Sequence, residues 1–383
     1  MVVVPLAARY VAAVAGLLLV VTSATSVIGT LIVPRSVSSW LTGFVDKLVD
    51  AGYKLGTKRV TDLHRRDRIL ATQAATLLIS QLIGWLLLFF VGFSLMFWPL
   101  VHGGLTRAFS TAGPALWEIG EDRARGGLQE AILDIAALFG IVTITLQIAY
   151  LPSLYAEFNR RETEVALLAA RAGIPTWGPE LLARTHYALG SGVSAVNTLP
   201  DLYETWERWA ADLAESHTTY LPLVRFRSPR GGSSWVTALL AVLDSAAMIL
   251  SVSPGQISVV PARLCLRSGF TCFQQIGLAM GFDLPEEPAP DAGISLTYDE
   301  FLEAIDRLKQ VDFPIEREPA EAWPDFVGWR ANYEKAAYAI AYELDVVPAL
   351  WSGPRRHGDA PIRPKRPSPG RPPAAGGYRN PSR

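Results

Sequence analysis

Residues 69–100 read ILATQAATLLISQLIGWLLLFFVGFSLMFWPL, a run of 32 positions without an Asp, Glu, Lys or Arg. An α-helix rises about 1.5 Å per residue, so about 20 apolar residues cross the roughly 30 Å hydrocarbon layer of a bilayer. The run exceeds that length. It is predicted to span a membrane, tilting or projecting into an interface at one end.

Two further segments read the same way. Leu6 to Ile32 holds Val11, Val14, Leu17, Leu18, Val20 and Val21, with Arg9 its only charge at neutral pH. A cleaved signal peptide is the competing reading, but the apolar region is long for one and Pro34-Arg35 reads as a membrane exit, so a span is preferred. Ala131 to Tyr155 is built on Leu138, Phe139, Ile141, Val142 and Ile144, with Asp134 the one awkward charge near its start. Three spans therefore precede Asn159.

Basic residues beside span ends set orientation. Arg35, Lys47, Lys54, Lys58, Arg59, Arg65, Arg66 and Arg68 fill the connection after the first span, and Arg160 and Arg161 follow the third. That bias places residues 34–68 and everything after Asn159 in the cytoplasm, with the N-terminus outside. Within the basic linker, Trp40, Leu41, Phe44, Val45, Leu48, Val49 and Tyr53 share one helical face. An amphipathic helix in the inner interface satisfies them, as does docking against the cytoplasmic domain.

A formal net charge of −1 gives no support to nucleic-acid binding. Cys265 and Cys272 are too few for a disulfide framework and read as two core thiols. There is no Walker sequence or zinc-protease helix, and His64, His102, His186, His217 and His357 have no metal-ligand spacing, so neither an enzyme nor a metal or cofactor site is expected. His217 beside Tyr220, Arg225 and Arg227 is read as polar support to the fold ahead of an anion site.

Between the second and third spans, Leu105, Ala108, Phe109 and Ala112 keep helical spacing, and Gly113-Pro114 then interrupts it. A short helix followed by irregular backbone is the form of a re-entrant loop, tolerated at membrane depth where protein buries it or where it lines a watery cavity. Two spans do not enclose such a cavity alone, so a pore here requires an oligomer.

The succession of span, basic linker, span, short helix and span resembles bacterial two-helix pore-module proteins of the potassium channel superfamily. The span exit Gly29-Thr30-Leu31-Ile32-Val33-Pro34-Arg35, the second-span end Phe97-Trp98-Pro99-Leu100, the short helix Ala108-Phe109-Ser110-Thr111 and the exit Tyr150-Leu151-Pro152-Ser153-Leu154-Tyr155 carry the likeness, over roughly the first 160 residues. The resemblance implies a homotetramer in the bacterial inner membrane, with monovalent cations as partners and a filter loop after the short helix. The filter is degenerate. Thr111-Ala112-Gly113 matches the start of Thr-x-Gly-Tyr-Gly, but Pro114 and Ala115 follow, and setting Gly120 as the last glycine puts Leu116, Glu118 and Ile119 at the threonine, first-glycine and tyrosine positions.

The filter-like residues are therefore Thr111, Ala112, Gly113, Leu116, Trp117, Glu118, Ile119 and Gly120. Glu118, Glu121 and Asp122, repeated by symmetry, would form acidic rings at an outer mouth; an ordinary acidic turn is the other reading. In the third span Gly140 is a bend or close-packing point, and Thr143 and Gln147 either line an inner pathway or bond between helices.

Beyond Asn159 the chain reads as helical, with segments at 162–172, 179–188, 202–216, 234–250, 261–280, 298–310 and 329–344. Thr297 with Glu300 forms a capping box. Trp235 to Val252 is apolar enough for a fourth span, but it is short, carries Asp244 and has no returning partner, so a buried helix is preferred. After Leu350 a Pro-rich basic tail is expected to be disordered.

The fold class is an all-α membrane protein with three transmembrane helices, a short re-entrant-like helix and a helical cytoplasmic domain. Its divisions are a span (1–33), basic linker (34–68), pore-like module (69–158, with the loop at 105–120), cytoplasmic domain (159–350) and tail (351–383). A monovalent cation channel with a non-standard filter is the leading function; a non-conducting membrane scaffold or sensor is the alternative.

Overall fold

A computed structural model describes residues 5–33, 40–116, 127–187, 195–285 and 292–365. Among them the regular structure is helical: α1 Leu6–Leu31, α2 Trp40–Thr57, α3 Leu63–Ala71, α4 Gln73–Phe97, α5 Gly104–Leu116, α6 Gly127–Ala172, α7 Gly178–Tyr187, α8 Leu199–Thr219, α9 Trp235–Val252, α10 Val259–Ala279, α11 Tyr298–Lys309, α12 Pro319–Arg330 and α13 Glu334–Leu344. The chain divides into two compact units. One comprises Met1–Glu162, Asp212–Arg227 and Gln275–Asp283, the other Thr163–Ala211, Ser228–Gln274 and Leu284–Arg383.

Among the described residues, four helical stretches are long and apolar enough to cross a membrane: α1, α3 with α4, α6 and α9. Three turn most of their surface outward. In their most apolar windows only 28%, 39% and 28% of residues are buried, whereas α9 is 100% buried. Val11, Val14 and Leu18 of α1, Ile79, Ile83 and Leu87 of α4, and Leu138, Ile141 and Ile148 of α6 are exposed. Apolar side chains on every face of a helix mark a lipid environment when protein does not cover them. In α9 it does, for all 18 residues are buried in the second unit.

The first unit is held by close helix contact. A Cβ on Gly16 would run into the Gly92 carbonyl, and one on Gly92 would stand 2.8 Å from Val20 Cγ2, so α1 and α4 approach backbone to backbone. Trp85 Nε1 donates to Ser26 Oγ at 2.9 Å inside that contact. The aromatic stripe Trp85, Phe89, Phe93 and Phe97 of α4 is fully buried. Phe139 of α6 reaches it, its ring 5.1 Å from that of Phe89.

The linker helix α2 does not choose between the two positions expected of it: it packs lengthwise on α4. Gln73 Nε2 donates to Asp50 at 2.7 Å and Gln81 Nε2 to Asp46 at 2.9 Å, and Val45 lies 3.7 Å from the position of a Cβ on Gly84, so the two helices run antiparallel. This splits the apolar face. Leu41, Val45 and Val49 are buried, while Trp40, Phe44 and Leu48 remain exposed.

In the second unit α9 is the hub, packed by α7, α12 and α13. Cys265 and Cys272 are both buried free thiols. The Thr297–Glu300 capping box starts α11. Folded structure passes the expected domain limit at Leu350, with Trp351 and Arg355 buried; residues 366–383 of the basic tail lie outside the described residues.

Candidate functional site

The expected pore-like residues lie on α4, α5 and α6. Gly103 (φ +123°) and Gly104 (φ +78°) take up the left-handed backbone that turns the chain from the end of α4 into α5. Ala108, Ala112 and Leu116 then fall one turn apart and are buried. The Phe109 ring sits 5.2 Å from that of Phe90 on α4. Arg107 is exposed, on the side of α5 away from this contact.

Gly113-Pro114 does not interrupt α5, contrary to the expectation from sequence: the helix runs through both to Leu116. A proline this near a helix end removes one backbone hydrogen bond and leaves the preceding turns intact. Thr111, Ala112 and Gly113 are thus helical, and the Thr111 hydroxyl donates to the Arg107 carbonyl at 2.9 Å. Trp117, Glu118, Ile119, Gly120, Glu121 and Asp122 lie outside the described residues.

Gly140 is a close-packing point: a Cβ there would overlap the Leu116 carbonyl oxygen, so the end of α5 rests on the backbone of α6. Thr143 and Gln147 are buried within the first unit. The Thr143 hydroxyl donates to the Phe139 carbonyl at 2.7 Å, while the Gln147 Oε1 meets no hydrogen-bond donor among the described residues.

A polar cluster that sequence reasoning did not assemble lies in the same unit. Arg225 donates to both oxygens of Asp50, Nε at 2.9 Å and Nη2 at 2.5 Å, and Arg227 Nη1 donates to Asp67 at 2.6 Å. Arg161 is buried and donates to the carbonyls of Leu223 (2.9 Å) and Phe226 (2.7 Å) and to His217 Nε2 (3.0 Å). Because a guanidinium only donates, Nε2 accepts and the proton of the neutral ring sits on Nδ1, 3.0 Å from Ser216 Oγ. Burial, reinforced by the Arg161 charge, pushes the His217 pKa well below its usual value. His217 is therefore a neutral supporting group. The sequence placed these residues near one another but carried no sign that Asp50, 175 positions from Arg225, was the acceptor.

The second unit offers a cleft of about 1020 Å³, with Arg267, Phe270, Gln274, Asn332, Lys335 and Tyr338 among its lining residues. Beside it Arg330 is fully buried, bonded to Asp244, to Glu334 (2.6 Å), to the Tyr338 hydroxyl (2.9 Å) and to the Trp351 carbonyl (2.7 Å). His64 and His102 are exposed on the surface.

Among the described residues the fold is all-helical, with helices long and apolar enough to cross a membrane. The chain matches no protein-family model, no curated protein and no solved structure.

Proposed function

We propose that this is a multi-pass membrane protein in which α4, α5 and α6 form a pore module resembling that of potassium channels, assembling as a homotetramer for monovalent cations. On this reading α1, α4 and α6 cross the bilayer, the N-terminus is outside, and the second unit lies in the cytoplasm. The observation that carries it is the seat of α5: a 13-residue helix between two long apolar helices, buried along Ala108, Ala112 and Leu116 and ending against Gly140. An irregular connection at membrane depth needs such cover. Purified protein in planar bilayers under asymmetric potassium and sodium tests it. A cation-selective current from a tetramer is expected, and a silent monomer by native mass spectrometry overturns it.

A second reading, a non-conducting sensor, is favoured by the helical backbone of Thr111, Ala112 and Gly113 and by the cleft in the second unit. A helix points its carbonyls along its own axis and leaves no row of them to replace an ion's water shell. Tetramers with no current at any potential would select it.

A further inference from the structure

We propose that Asp345, His357 and Asp359 form a binding site for a divalent transition-metal ion of the zinc type. Each side chain offers one ligand atom, and the three atoms lie within 4.8 Å of one another. Asp345 follows the last turn of α13 in a left-handed conformation (φ 48°, ψ 49°), its side chain wholly buried. The chain then loops back. Arg355 pins the loop, donating to the carbonyls of Val346 (2.7 Å), Val347 (3.0 Å) and Ser352 (2.7 Å). Gly358 (φ +66°) turns the backbone between His357 and Asp359, its N–H donating to the Arg355 carbonyl at 3.1 Å.

The His357 Nδ1 stands 3.2 Å from an Asp345 oxygen. Zinc holds nitrogen and oxygen ligands at about 2.0–2.2 Å, which in a tetrahedral site sets neighbouring ligand atoms about 3.3–3.6 Å apart. Two ligand atoms stand close to that spacing, and Asp359 supplies the third within 4.8 Å of both. Two carboxylates bring two negative charges, which the buried Arg355 guanidinium also faces; a neutral imidazole selects against calcium, which takes oxygens, while the lack of thiolate selects against soft monovalent copper. Three protein ligands leave a fourth position to water. An ion there ties the end of α13 to the returning segment, which is already joined by the Ile362 N–H donating to the Pro348 carbonyl at 2.7 Å.

The site was invisible to chain spacing because the ligands are not on one helix. Asp345 and the His357-Gly358-Asp359 pair meet only when the loop closes.

The test uses the untagged full-length chain in detergent, stripped with chelator and titrated with Zn²⁺ by calorimetry. One ion per chain is expected, with His357→Gln and Asp359→Asn each weakening binding about 100-fold, the upper end of what loss of even an outer-shell partner costs. No saturable binding to the wild-type chain, or variants that bind like it, overturns the proposal and leaves His357 as an ion-pair partner of Asp345. Should a variant unfold by circular dichroism, X-ray absorption of the Co²⁺-loaded wild type decides. One imidazole among oxygens supports the site, and sulfur or several imidazoles refute it.

Discussion

Single positions in the first unit have opposite tolerances that the sequence does not distinguish. Gly140 and Gly56 are both helical glycines, yet a Cβ at Gly140 meets the Leu116 backbone oxygen while one at Gly56 meets nothing within 4 Å. Gly140→Ala is therefore expected to cost about 1–3 kcal/mol through overpacking. Gly56→Ala should stabilise by about 0.5–1 kcal/mol by stiffening the helix; equal melting temperatures for the two variants in detergent would contradict the packing. His217 yields a pH effect with a definite sign. Its folded-state pKa is depressed by burial and by Arg161, so the unfolded chain takes up the proton first. The stability it contributes is complete above the unfolded value of about 6.5 and is lost as pH falls from there toward the depressed folded value. Melting temperature should drop between about pH 7 and 5, and His217→Gln should flatten that slope. The polar role of His217 was legible from its neighbours. Its partner Arg161 was not, being 56 positions away on another helix.

At the scale of elements, long apolar runs located α1, α4, α6 and α9, and a local signal, the Thr297–Glu300 box, fixed the start of α11. Boundaries failed where the cause was tertiary. The second predicted span began at Ile69, but the chain breaks at Thr72 between α3 and α4, where the Thr72 and Thr76 hydroxyls bond the Tyr53 hydroxyl of α2 at 2.8 and 2.7 Å. Helix α12 was missed because Pro324 stands inside it, although Pro319 in its first turn is well placed to start it. Helix α2 is the instructive case: its apolar face was read from sequence, but Asp46 and Asp50 beside that face bond polar groups of α4 and Arg225. If the Arg225–Asp50 pair holds α2 in place, Arg225→Gln and Asp50→Asn should each destabilise the protein. Both side chains are largely buried, at 10% and 15% exposure. The double variant should then cost less than their sum by about 0.5–3 kcal/mol. Strict additivity in denaturant unfolding would show that the pair is ornamental.

For the whole molecule the deciding question is how many of four apolar helices meet lipid, and α9 is the test. Its mean hydropathy of 1.9 is close to the 2.1 of α6, so composition alone does not separate them. Burial and charge do. A lipid-facing helix presents apolar side chains outward, but every residue of α9 is covered by protein, and Asp244 in its middle is bonded to Arg330 and to the Tyr333 hydroxyl at 2.8 Å. Burying that pair needs both partners. Arg330→Met leaves Asp244 and Glu334 without their shared cation and is expected to cost about 3–5 kcal/mol. Topology follows from the same packing. Gly231, before α9, and Ser258, after it, are both exposed and have only that one apolar helix between them. With single cysteines introduced at each in turn, a membrane-impermeant maleimide should label both from the cytoplasmic side of inverted vesicles and neither from outside intact cells. The native thiols Cys265 and Cys272 are buried and should contribute little background. Labelling of the two positions from opposite faces would make α9 a fourth span, move the Asp345–Asp359 segment across the membrane, and overturn the cytoplasmic placement of the second unit.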